Sequence, residues 1–221
     1  MKQKFISVCL LLLSIGFFSC SQDDKIYSCN KDVNAWVKEN LADIQMMSRS
    51  DWLNLDTNLK RAVYVAFTSE QKFLFWKGKI AEVLTLDWNE AEKKHLELLY
   101  ETISDNPQWF TADISKNEEE FEKFELFEYR WSENAKDNLG WDKHLIGSIV
   151  FSGNKLLNTK GELQTENTSI FRADYPECEC SKQSDWCANP SSYCGGVGGV
   201  CYATSSGCGF LWGYQCDGMC G

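Results

Sequence analysis

From about Asp32 to about Phe151, apolar residues return every three or four positions, the spacing of helix faces and not the alternation of strands. Val33, Trp36, Val37, Leu41, Ile44 and Met47 mark the face of a first helix, expected to end near Ser48-Arg49-Ser50. Leu59, Val63, Ala66 and Phe67 mark a second helix after Asp56-Thr57. Thr68 and Gln71 have the spacing of a capping box, in which each side chain bonds the other residue's backbone N–H, and they predict a third helix start. Its inward face reads Phe73, Trp76, Ile80, Val83 and Leu84. Asn89 is placed to cap a fourth helix running through Leu96, Leu99 and Ile103, before Pro107 forces a turn. Ser115 and Glu118 form another capping-box pair, and Glu118, Glu119 and Glu120 occupy a first turn, where the helix dipole favours anions. Phe121, Phe124, Phe127 and Trp131 then recur at helical spacing, and Trp141 to Phe151 predicts a last short helix. About 120 residues suffice for one helical domain, and these aromatic stripes read as its core.

The periodicity stops after Phe151. Residues 152–177 carry scattered apolar residues among Gly, Asn and Thr and are expected to be a linker or irregular connector. Beyond it, eight cysteines fall at Cys178, Cys180, Cys187, Cys194, Cys201, Cys208, Cys216 and Cys220, and from Cys180 to Cys208 each follows the last after six intervening residues. So short and glycine-rich a segment buries little apolar surface of its own, so the cysteines read as a disulfide framework. Each closed loop of about 15 residues contributes roughly 3 kcal/mol by restricting the unfolded chain. The spacing leaves the pairing open. Zinc is not expected, because there is no Cys-x2-Cys knuckle and His95 and His144 lie far from the array. The predicted fold is therefore mainly α: an N-terminal helical bundle over 32–151, followed by a small disulfide-rich irregular domain over 178–221.

Disulfides require an oxidising compartment, and the N-terminus supplies the route to one. Lys2 and Lys4 precede an apolar run, Phe5 to Phe18, of signal-peptide length and too short to span a bilayer. The run closes on Gly16-Phe17-Phe18-Ser19-Cys20, which resembles a bacterial lipobox. That resemblance implies a signal peptide over 1–19, an acylated Cys20 held in the lipid bilayer, and an acidic tether over 20–31. Ser21-Gln22-Asp23-Asp24 resembles the short acidic export signal of Bacteroidetes surface lipoproteins and implies display on the outer face of the outer membrane; the alternative is an acidic, solvated tether. Cys9 leaves with the signal, so Cys29 is the odd cysteine, with a free thiol, an intermolecular bond and a bond into the helical region all open to it.

The chain carries a formal charge of −10, and no cluster of Lys and Arg with aromatics tracks a phosphate backbone, so nucleic acid is not an expected partner. No phosphate loop, serine nucleophile elbow or metal-binding His-x3-His occurs. His95 and His144, flanked by Lys94 and Lys143, read as helix-surface residues, so neither catalysis nor a cofactor is expected.

The run Cys178-Glu179-Cys180, then Ser184-Asp185-Trp186-Cys187, then Cys208-Gly209-Phe210-Leu211-Trp212-Gly213-Tyr214-Gln215-Cys216 resembles the fulvocin C-related bacteriocins over about a fifth of the chain. Thr68 to Lys72 and Trp76 to Ile80 resemble more loosely the upstream part of such proteins. Here three residues, Asp217 to Met219, separate the last two cysteines, and some inner spacings differ by one. The resemblance implies a bacteriocin-like peptide at the end of a lipid-anchored precursor, released by a cut near Arg172 to Pro176 into a secreted C-terminal fragment. Residues 178–221 are anionic, with one lysine against three acids, which gives no attraction to anionic membranes. The second expectation is an intact surface lipoprotein whose cysteine-rich tip binds an unknown protein or glycan, with Trp186, Tyr193, Tyr202, Phe210, Trp212 and Tyr214 as contact residues and about half of them as core.

Overall fold

A computed structural model describes residues 25–164, 178, 180–184, 186–187, 192–195 and 204–221. The fold is mainly α, a bundle of helices followed by a C-terminal region of short strands and disulfides. The helices are α1 (Lys31–Glu39), α2 (Leu41–Ile44), α3 (Arg49–Leu53), α4 (Thr57–Ala66), α5 (Ser69–Val83), α6 (Glu90–Asp105), α7 (Glu118–Leu139) and α8 (Lys143–Val150). None is long and apolar enough to cross a membrane among the described residues.

Helix starts follow local side-chain chemistry closely. Thr68 and Gln71 form the expected reciprocal box at α5, Asn89 and Glu92 form another at α6, and Asp56 and Asp142 cap α4 and α8. Gln71 does more than cap, because its side-chain amide also donates to the carbonyls of Ile44 and Met47 at 2.8 and 3.0 Å and so ties the end of α2 to the start of α5. Two expectations are corrected. The first predicted helix is broken at Asn40 into α1 and α2, and Ser48 opens α3 in a capping box with Asp51 where the sequence suggested an end. The cap of α7 is Asn117, which accepts from the Glu120 backbone N–H. Ser115 lies in a short 3-10 turn and donates to Asp113 instead.

Helix α5 is more deeply enclosed than its pattern suggested. Phe75, Trp76, Ile80 and Val83 are buried, and so are Lys72 and Lys79, whereas Phe73 and Leu84 sit at the core's edge. The buried cations are ties to later parts of the chain. Lys79 donates to the carbonyls of Ser148 and Ser152 at the end of α8, and Lys72 donates to the Ser206 hydroxyl at 2.8 Å. Arg49, ion-paired with Glu82, reaches the Gly153 carbonyl at 2.7 Å, Lys60 reaches Asn154, and Arg61 donates to the Cys178 carbonyl at 2.7 Å. Buried amino groups persist only when hydrogen-bonded, and Lys60, Lys72 and Lys79 find their oxygen acceptors on later parts of the chain.

The stretch expected as a connector is structured in its first half. Leu156 is buried and bridges Leu163, and Ser148 donates to the Gly161 carbonyl at 2.7 Å. Gly153 has Trp52, Phe75 and Trp212 carbons within 3 Å of where a Cβ would stand, so no larger residue fits there. Residues 165–177, including the suggested cut near Arg172 to Pro176, lie outside the described residues.

In the C-terminal region β1 (Cys194–Gly195) pairs antiparallel with β4 (Met219–Cys220), and β2 (Thr204–Cys208) pairs antiparallel with β3 (Tyr214–Cys216). Disulfides join Cys180 to Cys194, Cys187 to Cys220 and Cys208 to Cys216. Cys178 is disulfide-bonded as well, and Cys201 lies outside the described residues. Cys29 packs beside Cys178, Cys208 and Cys216.

This region is continuous with the helical core. Phe210, Leu211, Trp212 and Tyr214 are buried in the same apolar cluster as α4 to α8. Trp212 meets Trp52, Tyr64, Phe75 and Trp76 with ring centroids 4.8 to 6.0 Å away, and its indole N–H donates to the Phe151 carbonyl at 3.0 Å. Phe210 packs on Phe124, Phe127, Trp131 and Phe151. Leu211 and Trp212 both take positive φ, 47° and 52°, which costs of order 1–3 kcal/mol for each non-glycine residue. Their burial in the helical core offsets that strain.

Candidate functional site

Between α7, the start of α8 and the C-terminal region lies a cleft of about 690 Å³, a volume in the usual range for ligand sites. Helix α7 contributes Glu125, Glu128, Tyr129, Ser132, Glu133 and Lys136 to it. These residues recur at helical spacing, one turn beyond the Phe124 and Trp131 face that is turned into the core. Trp141, Asp142, Lys143 and Ile146 form a second wall, and Gln183, Ser184, Trp186 and Tyr214 close the third.

Glu128 sits where α7 meets the C-terminal region. Ser184 donates its hydroxyl to one carboxylate oxygen at 2.6 Å, and the Tyr214 hydroxyl donates to the other. Ser184 in turn accepts from the Phe210 backbone N–H at 3.3 Å, so the chain that enters the core is fastened at the same point. Burial pushes the Glu128 carboxyl above its ordinary range, the two hydroxyl donors oppose that rise, and Glu125 adds to it. The Tyr214 hydroxyl is pushed up by burial and by the negative charge of Glu128 and Glu125.

Trp186 forms the aromatic floor of the third wall. It stacks on Phe151 at 4.4 Å with the rings 18° from parallel. A Cβ on Gly147 of α8 would stand 1.7 Å from the indole, so glycine at this helical position is what lets the ring dock. The Lys143 ammonium lies over the Trp186 ring at 5.2 Å, a cation–π contact made at the rim of the cleft.

The structure divides the six aromatic residues predicted to touch a partner. Phe210, Trp212 and Tyr214 are buried, because the loop closed by the Cys208–Cys216 bond inserts them among the helices, and Tyr214 also borders the cleft. Trp186 lines the cleft, and Tyr193, just before β1, is 65% exposed. Tyr202 lies outside the described residues, as do Cys20 and Ser21, Gln22, Asp23 and Asp24.

His95 is also corrected. It is only 7% exposed, stacked on Trp131 at 4.6 Å, and burial lowers its pKa to about 4. His144 is exposed. Neither histidine lines the cleft. The sulfurs of Cys180, Cys187 and Cys220 lie within 4.8 Å of one another. They belong to two adjacent disulfides, and a disulfide sulfur is not the thiolate that zinc requires. Sequence reasoning missed the cleft's central carboxylates, since Glu125 and Glu128 are two among the 32 acidic residues and only the folded cleft, with Ser184 and Tyr214 docked on Glu128, distinguishes them. No family model matches the chain, and no curated protein or solved structure matches it either.

Proposed function

We propose that the protein acts intact, as a lipid-anchored surface protein in which α7, α8 and the cysteine-rich C-terminus together form a binding site for an external partner. Acylated Cys20 would hold it in the bilayer, the Ser21 to Asp24 segment would direct it to the outer face, and the cleft around Glu128 would take the ligand. The reading includes no catalytic step and no nucleic acid.

The observation that carries it is the burial of Phe210, Leu211 and Trp212 among the helices. Releasing residues 178–221 as a separate bacteriocin-like peptide would return those side chains to water. At about 1.5–3 kcal/mol for each large apolar side chain, the cost is on the order of 6 kcal/mol, comparable to the whole stability of many domains. The helical part would also lose the rings that fill its centre. Resemblance to the fulvocin C-related bacteriocins then describes kinship of the cysteine array, and the anionic character of that array supports a binding role over membrane disruption.

Mass spectrometry of washed cells and culture supernatant, with alkylation before and after reduction, tests this reading. The expected result is an oxidised array found only in cell-bound protein acylated at Cys20. A soluble fragment beginning between Ala173 and Cys178 would overturn it in favour of a released peptide.

A further inference from the structure

We infer that the cleft between α7, α8 and the C-terminal region seats the ammonium or guanidinium group of a basic side chain on a peptide or protein partner. This assignment rests on the reading of the cleft as the ligand site and names the chemistry that site selects.

The first observation is uncompensated charge inside a shaped groove. Glu125 and Glu128 stand one turn apart on α7, and among the described residues no ion pair reaches either of them. Their mutual repulsion registers in Glu128, whose charged form is disfavoured by burial and further by Glu125. Asp142 adds a third carboxylate that no ion pair reaches among the described residues, while Glu133, the fourth in the lining, is taken up by Lys136. Of the two lysines that line the cleft, Lys136 is engaged by Glu133 at 3.8 Å and Lys143 lies over Trp186. An entering cation would relieve the repulsion at Glu125 and Glu128. A neutral ligand would leave it in place, and an anion would add to it.

The second observation is aromatic. Tyr129, 65% exposed, and Trp186 border the same space as those carboxylates, and indole and phenol faces attract cations through their negative quadrupole. The chain itself demonstrates the preference, because the Lys143 ammonium already rests over the Trp186 ring. Lys143 thus behaves as a tethered occupant that a ligand cation displaces or joins. The formal charge of −10 on the whole chain would further raise the encounter rate with a basic partner at low ionic strength.

The test uses the full chain in detergent with its disulfides intact and follows the Trp186 indole N–H and the Tyr129 ring signals by NMR. Tri-lysine, tri-glutamate and cellotriose are titrated separately. Tri-lysine is expected to produce a saturable shift at both residues, weakened about tenfold by Glu125→Gln, the loss typical of one charged hydrogen bond. Lys143→Ala, which removes the internal cation, is expected to tighten binding about threefold, an effect that a merely structural lysine would not produce. A shift with tri-glutamate or cellotriose and none with tri-lysine would overturn the cation assignment while leaving the cleft as the ligand site. Silence from all three probes would overturn both. A tri-lysine shift unchanged by Glu125→Gln would overturn the role given to the carboxylates.

Discussion

Trp212, near the C-terminus, meets Tyr64 of α4 edge to face, with ring centroids 4.8 Å apart. The Tyr64 hydroxyl accepts from the Trp76 indole at 3.0 Å and donates to the Leu211 carbonyl at 3.4 Å, so the hydrogen bonds as well as the rings cross from helix to array. Trp212→Ala should therefore destabilise the helical region and the array together, by about 3–5 kcal/mol as for other large aromatic deletions in cores. Chemical denaturation followed both by helical circular dichroism and by tryptophan fluorescence checks this; two separate transitions, with the helical one unmoved, would contradict it.

Glu128 predicts an acid-side signature. Its carboxyl is raised by burial, so the folded state holds its proton to higher pH than the unfolded chain does. The stability it contributes is present below the ordinary carboxylate range and is lost as pH rises through its raised folded value. Glu128→Gln keeps the shape and removes the charge. The variant should match or exceed the parent near neutral pH and lose its relative advantage as the medium is made acidic, measured by urea midpoints across pH 4 to 8.

Lys72 acts in a different window. Burial, with Lys25 adding repulsion and Asp113 opposing it, lowers its pKa to about 7 from the ordinary lysine value of 10.5. Between those values the unfolded chain binds the proton that the folded chain lacks, so stability rises with pH from about 7 to about 10.5 and levels off below about 7, where both states are protonated. Lys72→Met should flatten that rise. Thermal melts of parent and variant at pH 7 and pH 9.5 should converge at the higher pH, and a parallel offset at both would contradict the assignment.

His95 predicts acid sensitivity from a neutral ring. Its pKa is lowered to about 4 by burial, partly offset by a hydrogen bond with the Trp131 backbone. Stability is therefore lost as pH falls from about 6.5 toward 4, where the unfolded chain takes up a proton first. The Nε2 atom is buried without a hydrogen-bond partner among the described residues. His95→Phe keeps the stack on Trp131 and should raise stability at pH 5 more than at pH 7.5. Equal changes at both pH values, by thermal melt, would count against this account.

Local chemistry in the sequence carried much of the fold. The α5 and α6 caps depend on residues three apart, so Thr68 with Gln71 and Asn89 as a cap were readable without tertiary context. The face of Phe124 and Trp131 was equally legible, because helical periodicity records which side meets the core. The break at Asn40 was not, since an unbroken apolar spacing from Val33 to Met47 cannot distinguish one helix from two that pack on the same neighbour. Ser115 met the capping-box rule as well as Asn117 met the cap preference, but Ser115 is taken up inside the 3-10 turn over Ile114–Lys116, which leaves Asn117 as the extended residue that caps α7.

The candidate site belonged almost wholly to tertiary structure. By itself the sequence determined a mainly α chain with a cysteine-rich end, because spacing and composition are local quantities. It could not assign Phe210, Trp212 and Tyr214 to the core, since the partners that bury them stand far upstream and Leu211 and Trp212 adopt a backbone conformation their residue types disfavour. Nor could it pair Cys208 with Cys216 or single out Glu128. Those outcomes depend on which surfaces the folded chain brings together, and only the docking of the C-terminal region against α7 and α8, with Gly147 leaving room for the Trp186 ring, turned Glu128 and Trp186 into walls of one cleft.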